Sequence, residues 1–182
     1  MLDHRLADDA DLEALRALIA IAVDRNQRAF LPDAQLAASC AVMGLDTQLI
    51  TDRTYFIIER EGEIVGCGGW SFRATTHGGD QSQVARDTAP LDPARDAARI
   101  RAMYTHPDHV RRGIGRRILE LGETAARDAG FAKAMLVATL SGEPLYRAAG
   151  YREVERITSD PVGDVCVPLI VMEKPLTGSR PS

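Results

Sequence analysis

The sequence predicts an α/β protein in which helices cover a mixed sheet of about six or seven strands. Two apolar runs over residues 54–73, separated by Glu61-Gly62-Glu63, are typical of an antiparallel hairpin. A strand–helix–strand pattern over residues 99–140 predicts a parallel pair, and two more strands follow residue 150. At 182 residues, we expect one domain over residues 1–176 and a flexible tail over residues 177–182.

The first third of the chain predicts one short strand and two helices. A strand at residues 4–6 precedes a helix that Asp8 or Asp9 could cap. The apolar residues of that helix recur at helical spacing: Leu12, Leu15, Ile19 and Val23. Residues 33–43 are typical of a second helix, ended by Gly44.

The predicted hairpin pairs residues 54–60 with residues 64–73. Its second strand carries Gly66, Gly68 and Gly69, which are unusual inside a strand and indicate close approach by a neighbouring element or by a ligand. Residues 74–96 then form a long polar loop with two prolines. A loop of this length in a compact domain is a functional lid, a binding loop or a mobile excursion.

The second half of the chain alternates between the two kinds of element. A strand at residues 99–105 leads through His106-Pro107-Asp108 to an amphipathic helix over residues 113–129, which Gly130 ends. The remaining predictions are a strand at 131–140, a short helix at 143–149 and strands at 151–158 and 165–174.

Composition and charge exclude several classes of protein. The net charge of -4 gives no general attraction to nucleic acid or to an anionic membrane. No apolar run approaches the ~20 residues of a membrane helix, and the N-terminus lacks the pattern of a signal peptide. The three cysteines form no CxxC pair, which argues against zinc and against a disulfide framework. We therefore expect a cytoplasmic protein without a metal ion.

A basic, glycine-containing segment between the strand and the amphipathic helix predicts an anion site. Gly113 and Gly115 lack side chains that would hold an anion away from the helix N-terminus, and glycine permits positive φ. Four arginines add a local positive field: Arg111, Arg112, Arg116 and Arg117. A glycine-softened turn with a solvated basic face is the structural alternative.

Other anion-binding motifs fit this segment poorly. Ile118 stands where the dinucleotide fingerprint requires its third glycine, and no Gly-Lys-Ser/Thr follows for a P-loop. The 5% aromatic content and the lack of a helix-turn-helix pattern argue against nucleic acid as a partner. A phosphate or pyrophosphate seat is therefore the prediction for this segment.

The same segment resembles motif A of the GNAT N-acetyltransferase superfamily, in which this loop binds the pyrophosphate of coenzyme A. A second stretch, Leu145-Tyr146-Arg147-Ala148-Ala149-Gly150-Tyr151, is similar to the family's Tyr-x-x-x-Gly-aromatic signature. The order of the predicted elements matches the family over residues 3–174. The resemblance implies a GNAT-like, mostly antiparallel central sheet with helices on both faces, and acetyl-CoA as co-substrate.

The resemblance also implies roles for individual residues. Val110 departs from the family, which often has Gln or Arg there, and this removes one side-chain donor. Thr139 stands where many members have a cofactor-binding asparagine. The strand end whose backbone would pair with the pantetheine amides is Met103, Tyr104 and Thr105. The residues that match the pyrophosphate loop are Arg111, Arg112, Gly113, Ile114, Gly115 and Arg116.

The reaction implied by the resemblance is direct attack of a primary amine, from a small molecule or a peptide, on acetyl-CoA. Tyr146 matches the position that protonates the leaving thiolate, although a packing role is the alternative. A general base is not legible, because Arg99, Arg101 and Lys133 occupy the strands where many members carry a glutamate.

Three questions remain open at the level of sequence. His77 and Asp80, in the long loop, are candidates for contact with the acceptor. The missing glutamate also admits a catalytically silent sensor or interaction domain that binds coenzyme A. The strands of residues 151–174, if they lie at an edge, could pair two chains into a homodimer.

Overall fold

Seven strands form one sheet in the order β1-β2-β3-β4-β5-β7-β6. The computed structural model describes residues 2–83 and 85–176, so the predicted tail at 177–182 lies outside the described residues. All neighbouring strands are antiparallel except the β4–β5 pair. The strands are β1 (Asp3–Leu6), β2 (Tyr55–Arg60), β3 (Glu63–Ser71), β4 (Ala98–Thr105), β5 (Lys133–Ala138), β6 (Arg152–Thr158) and β7 (Pro168–Pro175).

Helices cover both faces of this sheet, which confirms the predicted fold class. On one face the first helix packs against Ile57, and on the other the fourth helix packs against Ile58, because neighbouring strand residues point to opposite faces. The helices are α1 (Leu12–Gln27), α2 (Asp33–Val42), α3 (Thr47–Thr51), α4 (Ile114–Asp128) and α5 (Glu143–Ala148). The short α3 was not predicted, since five residues are too few for a periodic pattern.

The glycines of β3 allow α4 and β2 to approach closely, as predicted. A Cβ atom on Gly66 would lie 2.4 Å from the Cγ2 atom of Ile114, and one on Gly69 would lie 2.2 Å from the carbonyl oxygen of Thr54. A Cβ atom on Gly68 would lie 2.7 Å from Cγ of Met103. These contacts are made by neighbouring elements, so the ligand alternative is not needed at these positions.

The parallel pair opens into a cleft soon after it begins. Only Ala98↔Ala134 and Arg99↔Met135 are paired, although β4 continues to Thr105 and β5 to Ala138. Residues 100–105 of β4 therefore present a backbone edge that β5 does not occupy. An unpaired edge of this kind is suited to bind an extended ligand by backbone hydrogen bonds.

A bulge in β4 lies beside this edge. The register between β3 and β4 shifts between Cys67 and Gly69, and Ala102 opposite the shift has a φ of 52°. This left-handed conformation is costly for a residue with a side chain and persists only where the surroundings hold it. The hydroxyl of Tyr55, a fully buried residue, donates a 2.8 Å hydrogen bond to the carbonyl oxygen of Ala102.

We expect Tyr55→Phe to lower the free energy of unfolding by about 1–2 kcal/mol, because it leaves the Ala102 carbonyl without this donor while keeping the buried ring. Urea denaturation of the parent and the variant, monitored by circular dichroism, measures the change, provided that the two proteins have the same m-value. A variant as stable as the parent would show that the hydroxyl does not hold the bulge.

The long segment between β3 and β4 folds back onto the body of the protein. Arg73 forms an ion pair with Asp52 at 2.6 Å, and the amide of Gly79 donates to the carbonyl oxygen of Val42 at 3.2 Å. These contacts place His77 and Gly78 beside β4. Of the three alternatives left open by the sequence, a binding loop fits this placement.

The predicted dimer edge needs one correction. The strand expected at residues 165–174 corresponds to β7, which lies between β5 and β6 and has both of its edges paired. Only β6 is at that side of the sheet, and its exposed residues include Arg152, Glu153, Glu155 and Arg156. Charges of this kind discourage pairing between edges.

Among the described residues, no helix has the length and apolar character needed to span a bilayer.

Candidate functional site

The splayed strands open into a cleft with a volume of about 640 Å³. Its walls are the end of β4, the C-terminal half of α1, the start of α4, and α5 with the loop that precedes it. The structure brings all the predicted site residues except Arg112 to this cleft. They are Met103, Tyr104, Thr105, Arg111, Gly113, Ile114, Gly115, Arg116, Thr139 and Tyr146.

The start of α4 provides a basic, donor-rich wall. Gly113 caps the helix with a φ of 83°, and no atom lies within 4 Å of the position that a Cβ would take. The first-turn amides of α4 have no partner in the helix and carry its positive end. Arg111 and Arg116 are exposed at the cleft, whereas Arg112 is exposed but does not line it.

Gly115 lines the cleft and also allows close packing of α5. A Cβ atom there would lie 2.9 Å from the Cδ2 atom of Leu145, so the missing side chain admits α5. Only Gly113 of the two has positive φ. The Cβ position is open at Gly113, and the role of Gly115 in binding an anion stays a prediction.

The end of β4 is held by hydrogen bonds to two other segments. The Tyr104 hydroxyl donates to the carbonyl oxygen of Gly44 at 3.2 Å, and burial raises the pKa of this phenol. The side-chain amide of Asn26, from α1, donates to the carbonyl oxygen of Thr105 at 2.8 Å. Asn26 also lines the cleft, and no pattern in the sequence identified it.

Tyr146 projects from α5 toward β4. Its hydroxyl lies 3.8 Å from the sulfur of Met103, and its ring packs edge-to-face on Tyr151 with centroids 6.0 Å apart. Burial of the phenol raises the pKa of Tyr146 to about 12, so the hydroxyl stays protonated at neutral pH. Thr139 holds the start of α5, because its hydroxyl accepts a 3.2 Å hydrogen bond from the amide of Gly142.

Four charged side chains tie α5 to the edge strand β6. Arg147 contacts carboxylates on both elements at 2.7 Å, and a second arginine bridges the same two carboxylates at 3.2 and 2.9 Å. The members of this network are Glu143, Arg147, Glu153 and Arg156. Because the pairs share partners, they hold α5 and Tyr146 in place more firmly than isolated surface pairs would.

A smaller chamber of about 90 Å³ lies where β4 and β5 diverge. Arg101 lines it and is almost fully buried, with an ion pair to the inaccessible Asp46 at 2.6 Å and a 2.7 Å hydrogen bond to the carbonyl oxygen of Gly78. His77 also lines this chamber. Asp80, the other candidate in the loop, lies outside it and accepts a 3.2 Å hydrogen bond from Arg86.

The described residues offer no metal centre. Over residues 2–83 and 85–176, no three His, Cys, Asp or Glu side chains come together in a group suited to hold an ion. The polar groups that line the two cavities include backbone amides, arginines, side-chain amides, hydroxyl groups and one histidine.

Comparison with known proteins defines the class. Residues 51–153 match the model of the acetyltransferase (GNAT) domain, which is more than half of the chain. The protein belongs to this GNAT acetyltransferase family. No protein of curated function matches the sequence.

Solved structures share the whole fold at low sequence identity. A GCN5-related N-acetyltransferase from Rhodopseudomonas palustris aligns with a TM-score of 0.68 and 17% identity over 95% of this chain and 94% of its own. The PaiA N-acetyltransferase of Thermoplasma acidophilum, in complex with coenzyme A, gives 0.64 and 12% over 96% and 99%. YncA of Salmonella typhimurium, a putative acetyltransferase with acetyl-CoA, gives 0.61 and 20% over 98% and 95%. At these identities the likeness establishes the fold.

Proposed function

We propose that the protein is an acetyl-CoA-dependent N-acetyltransferase that acts through a single domain on a primary amine of a small molecule or peptide. The observation that carries this proposal is the 640 Å³ cleft, which places the free edge of β4, the start of α4 and Tyr146 around one space. Two of the structurally similar proteins hold coenzyme A or acetyl-CoA, which supports the same ligand here.

The residues of the cleft fit the parts of this ligand. The open space at Gly113 and the first-turn amides of α4 would hold the pyrophosphate, with Arg111 and Arg116 nearby. The backbone of Met103, Tyr104 and Thr105 would bind the pantetheine amides as an added half-strand. Asn26 already donates a hydrogen bond to the carbonyl oxygen of Thr105, so this oxygen is less available to accept one from the ligand.

Acetyl-CoA supplies an acetyl group already activated as a thioester, so the protein has to orient it and assist proton transfer. The hydroxyl of Tyr146 would donate a hydrogen bond to the sulfur as negative charge develops there. The high pKa of this phenol keeps the proton in place at neutral pH, and the donor then acts chiefly through its hydrogen bond. Attack would take place in a ternary complex, because no cysteine that could carry the acyl group is among the described residues that line the two cavities.

Two measurements on the purified protein test this proposal. Calorimetry with coenzyme A should give saturable binding in the micromolar range, and a thiol-release assay with acetyl-CoA should respond to members of a panel of primary amines. Absence of binding would overturn the proposal. Binding without thiol release for any amine would instead favour the silent sensor that lacks turnover.

A further inference from the structure

We propose that the 90 Å³ chamber receives the acceptor nitrogen and that His77 accepts the proton this nitrogen loses. This inference rests on the proposed function and adds to it a base and an acceptor site. Three observations support it: the chamber lies beside the larger cleft, its walls carry a particular set of titratable groups, and its volume is small.

The chamber and the larger cleft are adjacent and share a wall. Five residues line both cavities: Met43, Met103, Tyr104, Thr139 and Tyr146. A thioester held along β4 would therefore have Tyr146 at the sulfur, and the chamber would lie on the side away from the basic loop of α4. An amine in the chamber would approach the carbonyl carbon from that side.

Among the groups that line the chamber, His77 alone can serve as a base near neutral pH. Arg101 is a permanent cation engaged with Asp46. Burial raises the pKa values of Tyr104 and Tyr146, so both hydroxyls stay protonated and neither can act as a base. No aspartate or glutamate is among the described residues that line the chamber.

The surroundings of His77 keep its ring neutral and orient it. Burial lowers the pKa of His77 below its usual 6.5, and the charge of Arg101 on β4 lowers it further, whereas Asp160 in the β6–β7 connection opposes the shift. Thr76 Oγ1 lies 2.9 Å from Nδ1 of the ring. If Nδ1 carries the proton and donates to Thr76, the Nε2 lone pair is free to accept one.

The size and charge of the chamber define the class of acceptor. Its 90 Å³ hold roughly six water-sized groups at about 15 Å³ each, so the chamber has room for an unhindered amine on a narrow chain and not for a bulky one. A second ammonium group would meet the cation of Arg101 and no carboxylate on the chamber wall. The acceptor we infer is therefore a single unbranched primary amine rather than a polyamine.

The nitrogen of the neutral amine forms a bond to the thioester carbonyl carbon, and Nε2 of His77 takes one proton from the resulting ammonium of the tetrahedral adduct. The carbon–sulfur bond then breaks while the Tyr146 hydroxyl donates a hydrogen bond to the sulfur and keeps its proton. The products are an amide and the thiolate of coenzyme A. The imidazolium releases its proton to solvent, from which the thiolate can take one.

The first test follows thiol release from acetyl-CoA with the panel amine that the parent protein uses best. His77→Ala should lower kcat by about tenfold to 100-fold, and added imidazole should restore part of it. Coenzyme A binding, measured by calorimetry, should stay within about twofold of the parent. His4→Ala, a change on the exposed strand β1, is the matched control and should behave like the parent.

The pH profile separates a base from a packing role. With rates expressed per neutral amine, kcat/KM of the parent should fall at acidic pH, because a protonated ring cannot accept a proton, and the midpoint of this fall should lie below the usual histidine pKa of 6.5. His77→Gln, which keeps a polar group of similar length, should lose this acidic limb. Nitrogen NMR of labelled histidine, assigned by difference against His77→Gln, should show Nδ1 protonated and Nε2 bare at pH 7.

The outcomes distinguish this inference from the function on which it rests. A parent protein that acetylates no amine overturns the proposed function and with it the role of His77. A parent protein that acetylates amines, combined with a His77→Ala variant that retains kcat and the acidic limb, overturns the role of His77 alone. A ring protonated on Nε2 and bare on Nδ1 would also overturn it.

Discussion

Gly113→Val is expected to weaken the binding of coenzyme A by at least about 100-fold, or about 2.7 kcal/mol. At a φ of 83° the new side chain would project into the open space of the cleft, where no protein atom lies within 4 Å. That is the space assigned to the pyrophosphate, so the added methyl groups would exclude it from the first-turn amides of α4. Isothermal titration calorimetry measures the loss directly.

Gly62→Val is the matched control for the backbone strain in this experiment. Gly62, in the turn between β2 and β3, has a φ of 84°, and a Cβ there would also meet nothing within 4 Å. Both variants place a β-branched residue in the left-handed region, so they should lose similar stability. Only Gly113→Val should lose affinity for coenzyme A. Equal affinities in the two variants would show that the phosphate site is not at Gly113.

Tyr146→Phe is expected to lower kcat by about tenfold to 100-fold while the affinity for coenzyme A stays within about twofold. The substitution removes the donor that faces the sulfur and keeps the ring that packs on Tyr151. Thiol release at saturating acetyl-CoA and amine gives kcat, and calorimetry gives the affinity. Because the pKa of Tyr146 is raised to about 12, the donor is present up to about pH 11, and this group should cause no alkaline loss below that.

Tyr151→Phe controls for the removal of a hydroxyl near the same ring. Tyr151 is buried beneath α5 and does not line either cavity that Tyr146 lines. We expect the kcat of Tyr151→Phe to stay near that of the parent. If kcat is unchanged in Tyr146→Phe, or reduced equally in both variants, the Tyr146 hydroxyl has no specific role in the reaction.

The elements that the sequence predicted correctly are those whose cause is local. The amphipathic pattern of α4 and the glycine before it are readable because helix periodicity and capping involve residues only a few positions apart. The close approach at the glycines of β3 was predictable for a similar reason, since glycines inside an apolar strand indicate close packing.

The features that the sequence did not predict depend on residues far apart along the chain. Asn26 reaches the carbonyl oxygen of Thr105 across 79 positions, and Tyr55 reaches that of Ala102 across 47. The local sequence around a polar residue on a helix, or around a tyrosine in a strand, does not indicate which distant carbonyl oxygen it will contact. Gly115 shows the same limit, because the contact that explains it comes from Leu145 on another helix.

The two-pair joint between β4 and β5 has a consequence for the stability of the sheet. The four strands within residues 3–105 form one antiparallel block and the three strands within residues 133–175 form another, and two residue pairs join the blocks. A molecule bound along the cleft would contact both blocks, so its binding free energy would stabilise the weakest joint of the sheet.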